Sequence, residues 1–286
     1  EEIRRIAEKR LAILEKEKHY TGNHDLGFMM YCSFGNAYRL FGKPEDKATI
    51  DTAAASLATR YRPTIQVIQS WDSGKNFKCP VIIDNLMNLE LLHWVSDHGG
   101  DARFREIAII HANTTLKNHY RPDYSAFHVL DYDLASGKVS RKKNWQGAFD
   151  SSAWARGQAW GFYGYTMMYR FTKNKLYLDH AKNIAGFLLR HPNLPEDKIP
   201  YWDFNAGEIP NALRDASAGA IIASALLELG QYANNKEKKL YLATAEKILL
   251  SLSSDKYRSG LGENGGFLLK HSVGHLHANA EVDQPL

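Results

Sequence analysis

Four clusters of ionisable, amide and aromatic side chains recur along the chain, each where an apolar helical pattern begins. His24-Asp25 precedes the pattern that runs to Phe41, and Asp84-Asn85 precedes the one that runs to Val95. Trp154, Arg156, Gln158 and Trp160 open the pattern that ends near Phe171, and Arg214-Asp215 opens the one that ends at Leu229. Asp25, Asp84, Arg156 and Asp215 stand 59, 72 and 59 residues apart, about two helices and two loops each time. A repeated helical hairpin brings every second helix start to one end of a molecule, so the clusters are expected to converge on one cleft. Carboxylates, histidine, arginine and tryptophan gathered in a cleft are an active-site composition.

Each residue has a plainer reading beside the chemical one. Asp84 follows three aliphatic residues in Val81-Ile-Ile-Asp-Asn-Leu-Met87. Burial raises a carboxyl pKa, as a general acid near neutral pH requires. An aspartate capping a helix would fit the same position. Asp25 is either a helix cap or a second carboxylate facing Asp84, and paired carboxylates divide acid and base roles between them. Arg156 lies in the first turn of an apolar helix, where a cation opposes the helix dipole. It therefore needs an anionic partner: either a salt bridge to Asp150 or Asp215, or the carboxylate of a bound substrate held in its fork, with Trp160 as a stacking platform for a sugar ring. Asp150-Ser151-Ser152 reads as turn chemistry. His128, in a strand-like stretch of a long loop, and Gln146 carry no signal by themselves. Pro200-Tyr-Trp-Asp-Phe204 and Arg214 either line the rim of the cleft or pack its loops.

The elements that must position these residues are helical. Amphipathic, charged patterns (1–17, 45–61, 102–119, 175–190, 236–252) alternate with mostly apolar ones (26–41, 84–97, 157–172, 216–230), giving an outer and an inner layer. Asp46, Asp101 and Asn174 are candidate caps. Short connections lead from inner to outer helices. The long ones, 62–83, 120–156, 191–215 and 253–286, lead from outer to inner, and short strands are expected within them at 64–71, 126–133 and 265–273, with a hairpin turn at 135–138. Long loops on a rigid scaffold are where sites tend to lie. The pattern predicts an all-α fold, a barrel of helical hairpins in one domain (1–286), with a right-handed α-solenoid as the alternative.

Composition bounds the rest. The formal charge of +4 is mild and its basic residues are scattered, so no nucleic-acid surface is indicated, although an acidic small substrate would suit it. Cys32 and Cys79 have no metal-ligand spacing, and Cys32 is expected to be a small buried hydrophobe. His271, His275 and His277 mix strand and turn character and make a poor metal site. No phosphate-binding loop, dinucleotide fingerprint or nucleophile elbow is present. No apolar run reaches the length of a membrane span. The chain begins at Glu1, so an N-terminal segment is expected to have been removed or omitted.

At its clusters the chain resembles the unsaturated glucuronyl hydrolases, glycoside hydrolase family 88. The matching stretches are His24-Asp-Leu-Gly-Phe28, Ile83-Asp-Asn-Leu-Met-Asn88, Gln146-Gly147, Trp154-Ala-Arg-Gly-Gln-Ala-Trp160, Pro200-Tyr-Trp-Asp-Phe204, Arg214-Asp-Ala-Ser-Ala218, Gly274-His275 and Glu281-Val-Asp283. They cover nearly the whole chain, and the segment from Trp154 to Trp160 is the most specific. The resemblance implies an (α/α)6 barrel, here expected to be incomplete at both chain ends. It also implies a bacterial enzyme of the periplasm or cytoplasm, the periplasm favoured, that needs no metal or other cofactor. Its substrate would be an oligosaccharide left by a polysaccharide lyase, with a 4,5-unsaturated uronic acid at the non-reducing end. The family hydrates the C4=C5 vinyl ether; the hemiketal opens and the glycosidic bond then breaks. Carried over, Asp84 is the general acid/base and Asp25 the second essential carboxylate. His128, Gln146, Arg156 and Trp160 bind substrate, joined by His24, Trp71 and Arg214. An unsaturated rhamnogalacturonyl hydrolase acting on pectin fragments and a non-catalytic carbohydrate-binding toroid are the alternatives.

Overall fold

The computed structural model describes residues 1–286. Its chain divides into two compact units, Glu1–Asn118 with Leu130–Arg141, and His119–Val129 with Lys142–Leu286. Helices dominate both, and no helix is long and apolar enough to cross a membrane.

The first unit opens with α1 (Glu2–Leu14), which buries no residue. α2 (Leu26–Met30) passes through a π turn, Tyr31–Gly35, into α3 (Asn36–Phe41). Gly42, in the left-handed region at φ 64°, closes α3. α4 (Pro44–Ala58) starts with proline in its first turn, where the missing N–H costs nothing. Asp46 lies inside that first turn and the capping position is Lys43, so Asp46 is a dipole-complementing residue and not the cap the sequence suggested. β1 (Tyr61–Arg62) and β2 (Val67–Ile68) form a minimal hairpin. β3 (Pro80–Ile82) leads into a 3₁₀ turn, Ile83–Asn88, and α5 (Leu89–Asp97) follows. α6 (Arg103–His119) comes next, and Asp101 accepts the Arg103 amide at 2.9 Å. β4 (Val129–Tyr132) and β5 (Val139–Lys143) extend β3 in the order β3-β4-β5. Asp133 accepts the Ser136 amide at 2.8 Å in the expected hairpin turn. α2 packs against α4, α5 and the 3₁₀ turn.

The second unit holds α7 (Ala155–Thr172), α8 (Lys175–Arg190), α9 (Ala216–Leu229) and α10 (Asn235–Leu252). Asn174 caps α8 as expected, accepting the Leu176 amide at 3.0 Å. Asn234 and Glu237 make a capping box on α10. α7 packs on α8 and α9, and α9 on α10. The apolar α7 and α9 are buried around most of their circumference, whereas α8 and α10 each bury one stripe. β6 (Ser272–His275) and β7 (Ala280–Gln284) pair antiparallel at the end of the chain.

Two further expectations need correcting. The segment 26–41 is not buried all round. Cys32, Asn36, Arg39 and Leu40 recur at helical spacing on an outward face, so Cys32 is exposed. The apolar types on that segment overstated its burial, because exposure depends on what packs outside a helix and not on its own composition. In 265–273 only the last residues pair as a strand, since Gly265 and Gly266 both take positive φ and break the extended run.

Candidate active site

In the first unit, His24, Asp25, Trp71 and Asp84 lie on loops and turns tied together by polar contacts. The His24 amide donates to the Ser70 carbonyl at 2.9 Å, and Asn23 bridges Trp71 in antiparallel fashion. Arg60, itself buried, donates to the carbonyls of Thr21 and Gln69 and to the Asp72 carboxylate, pinning both loops. Trp71 packs edge-on against Phe77 with ring centroids 5.8 Å apart. His24 is buried, and burial lowers its pKa; the neighbouring Asp25 carboxylate pulls it the other way. Its Nε2 stands 3.3 Å from Asp25 Oδ1.

The two carboxylates differ sharply. Asp25 occupies the capping position of α2 but makes no side-chain cap bond, and its side chain is 55% exposed. Its amide is held instead by Asn23 Oδ1 at 3.0 Å. Asp84 is only 7% exposed. It is not a cap either: Ile82 precedes the 3₁₀ turn and Asp84 lies within it, behind the buried Val81, Ile82 and Ile83. Asn85 fixes this turn by donating to the Ile68 carbonyl at 2.6 Å. Asn88, at its end, accepts the Phe28 amide at 2.7 Å, so the turn bearing Asp84 lies against the helix that Asp25 begins.

In the second unit, His128, Gln146 and Arg156 gather around Trp154 and β6, and Trp160 follows Arg156 by one turn of α7. The Gln146 amide donates to His128 Nδ1 at 3.1 Å, which leaves the ring proton on Nε2. His128 is 2% exposed and its ring tilts against Trp154, centroids 4.4 Å apart. Gln146 donates through Nε2 to the Gly274 carbonyl at 2.6 Å. Arg156 and Trp160 are four residues apart on α7, hence on one face. Arg156 Nη1 donates to Asp215 Oδ2 at 2.8 Å and to the Val273 carbonyl at 2.7 Å, and Nη2 reaches the Gly274 carbonyl at 3.3 Å. The guanidinium also lies over the Trp154 ring, 4.6 Å from its centroid. Of the two partners open to Arg156, the structure selects Asp215, because Asp150 is engaged by Lys143 and the Asn144 amide.

Arg214 is drawn into the loops. It donates to Asp197 Oδ1 at 2.9 Å and to the Ile199 carbonyl, and it lies over Tyr201. Tyr201 and Trp202 belong to a buried cluster with Trp154, Ala206, Ala212 and Val273, so this aromatic segment packs the loops. His271 pairs with Asp283 at 2.7 Å, and His277 meets the Gly147 carbonyl at 2.7 Å. Three supports are added by the structure: Gln158 and Asp203, which the sequence singled out without a separate role, and Asn144, which it did not single out. Gln158 clamps Ala126, near His128, through both its amide atoms. Asn144 holds the Gly147 amide beside Gln146. Buried Asp203 accepts from the Ala148 amide and the Ser152 hydroxyl. A polar side chain inside an otherwise apolar stretch, as Gln158 is in α7, was the available signal.

Comparisons with known proteins complete the picture. No family model matches the chain. It is 47% identical over 284 residues to an unsaturated glucuronyl hydrolase of Formosa agariphila, a match spanning 98% of this chain and 70% of that protein. It is 35% identical over 265 residues to an unsaturated chondroitin disaccharide hydrolase of Streptococcus pyogenes, spanning 92% of this chain and 66% of the other. Among solved structures, an unsaturated glucuronyl hydrolase specific for heparin matches with a TM-score of 0.92 at 49% identity, over 96% of this chain and 73% of that one. The fold class is thus the α/α barrel of those enzymes, mostly helical with a few short strands.

Proposed function

Since the chain belongs to the unsaturated glucuronyl hydrolases, a family of glycoside hydrolases, we propose that it removes a 4,5-unsaturated uronic acid from the non-reducing end of glycosaminoglycan oligosaccharides by hydrating the C4=C5 vinyl ether. One observation carries the division of labour. The turn bearing Asp84 packs against the helix that Asp25 begins, and Asp84 is buried whereas the Asp25 side chain is exposed. Opposite environments are what separate a proton donor from a carboxylate that stays charged. Sheltered Asp84 gives its proton to C4. Positive charge then develops at C5 and the ring oxygen, where the exposed Asp25 carboxylate stabilises it. Water adds to C5 and returns a proton to Asp84. The hemiketal opens, and the leaving sugar departs from C1.

Arg156 and Gln146 have the chemistry to hold the uronate carboxylate, Trp160 offers a face to a sugar ring, and His128 lies beside Gln146, whose backbone amide it accepts. Arg214, bound to Asp197, supports the loops. The names of the relatives favour unsaturated heparin or chondroitin disaccharides over pectin fragments.

The test follows the ultraviolet absorbance of the conjugated enoate with unsaturated chondroitin, heparin and rhamnogalacturonyl substrates. The expected result is its loss with the uronyl substrates. Asp84→Asn should retain the circular dichroism of the parent while kcat falls about a thousandfold. Near-parental turnover by folded Asp84→Asn would remove Asp84 from the reaction, and preferential turnover of the rhamnogalacturonyl substrate would move the enzyme to the pectin class.

A further inference from the structure

We propose that Asp215 is a positioning residue for substrate recognition: it fixes Arg156 so that the remaining edge of the guanidinium meets the uronate carboxylate. The proposal deepens the reading of Arg156 given above and rests on it.

The geometry divides the two oxygens of Asp215 between two tasks. Oδ1 accepts the Ala218 amide at 3.0 Å and the Ser217 hydroxyl, capping α9. Oδ2 accepts Arg156 Nη1 at 2.8 Å. The Asp215 amide donates to the Pro200 carbonyl at 2.9 Å, so its backbone is anchored as well. Asp215 is fully buried, and its charge is balanced from two sides, by the N-terminus of α9 and by Arg156. A carboxylate rooted in a helix terminus cannot follow a moving arginine, so the arginine conforms to it.

The other contacts complete the restraint. Nη1 has its second acceptor in the Val273 carbonyl at 2.7 Å, and Nη2 has one in the Gly274 carbonyl at 3.3 Å. Trp154 supports one face of the fork. A guanidinium has five N–H donors. The Nε–H and one Nη2–H are left, and a side-on pair of that kind is what a carboxylate bridges in bidentate fashion. Gly274 contributes twice, since the carbonyl that meets Arg156 also accepts from Gln146 Nε2 at 2.6 Å. Two substrate-facing side chains are thereby spaced from a single main-chain oxygen. The Arg156 side chain is 11% exposed, so it keeps some access to solvent and little freedom.

The prediction concerns recognition of the substrate carboxylate and not the fold alone. Asp215→Asn keeps an oxygen for the cap, as does Asp215→Ser, and both lose the charge that holds Arg156. The assay compares kcat/KM for an unsaturated disaccharide and for its uronate methyl ester. This ratio is independent of the fraction of enzyme that is folded. Arg156→Gln should lower it, raising KM for the free acid more than KM for the ester. The Asp215 variants should lower the ratio about tenfold, the worth of one charge-assisted hydrogen bond. Arg156→Gln combined with Asp215→Asn should discriminate no less than Arg156→Gln alone. A parental ratio in both Asp215 variants, with Arg156→Gln reduced, overturns this proposal and leaves the function intact. A parental ratio in Arg156→Gln overturns the role given to Arg156, and the proposal with it.

Discussion

His180 sits among aromatic rings, with Tyr120 at 4.2 Å and Tyr165 at 4.6 Å between centroids, and its Nε2 has no hydrogen-bond partner. Burial lowers its pKa from 6.5 to about 4. At pH 7 the ring is neutral in both folded and unfolded chains, and the full stability is present. As pH falls below about 6.5, the unfolded chain takes up a proton that the folded one refuses. Stability is therefore lost down to about pH 4 and levels off below it, by roughly 3 kcal/mol at most from this residue. His180→Phe fills the same space without the unpartnered nitrogen. Urea unfolding at pH 7 and pH 4 should show a smaller acid loss in the variant than in the parent, and equal losses would refute the assignment. His24 is shifted in the same direction by burial, but there the Asp25 carboxylate opposes the shift.

At the scale of elements, the contact that bears most on the role proposed for Asp84 is between α2 and the 3₁₀ turn that carries it. A Cβ on Gly27 would lie 2.7 Å from both the Cβ and the carbonyl oxygen of Asn88, too close for either to remain in place. Gly27→Ala should cost about 1–3 kcal/mol in denaturant unfolding, as overpacking does. It should also lower kcat more than it raises KM, because the displaced turn carries Asp84; unchanged kcat would separate the two. The start of α2 was legible in the sequence, since an apolar period begins at Leu26, and so was the Asn174 cap on α8; the pattern expected to begin a helix at Asp84 opens instead as the 3₁₀ turn, and α5 starts only at Leu89. The π turn at Tyr31–Gly35 and the two-residue strands β1 and β2 leave almost no periodic trace. Cys32 was misread because its neighbours in sequence are apolar while its neighbours in space are not a core. For Arg156, charge alone could not choose between Asp150 and Asp215. The choice is made by Lys143 and Asn144, which engage the first, and by the cap of α9, which holds the second.

At the scale of the whole molecule, neither compact unit is a continuous stretch of chain. The polypeptide passes from one to the other after Asn118, Val129 and Arg141. The late return supplies the first unit with a part it needs, because Asp131 accepts the amides of Lys78 and Cys79, each at 2.8 Å, and Arg141 pairs with Asp131 at 2.8 Å. Asp131 is 2% exposed, so without it the amide of Lys78 and the buried amide of Cys79, just before β3, lose their acceptor. A chain cut at Asn118 should therefore lack the cooperative unfolding transition of its own unit. From the repeated crossing of the chain between the units we propose that 1–286 folds as one domain. Scanning calorimetry of the intact chain should give a single peak whose calorimetric and van't Hoff enthalpies agree. Two resolved peaks, or a 1–118 fragment that melts cooperatively, would mean that the crossings are only connections and that the units fold separately.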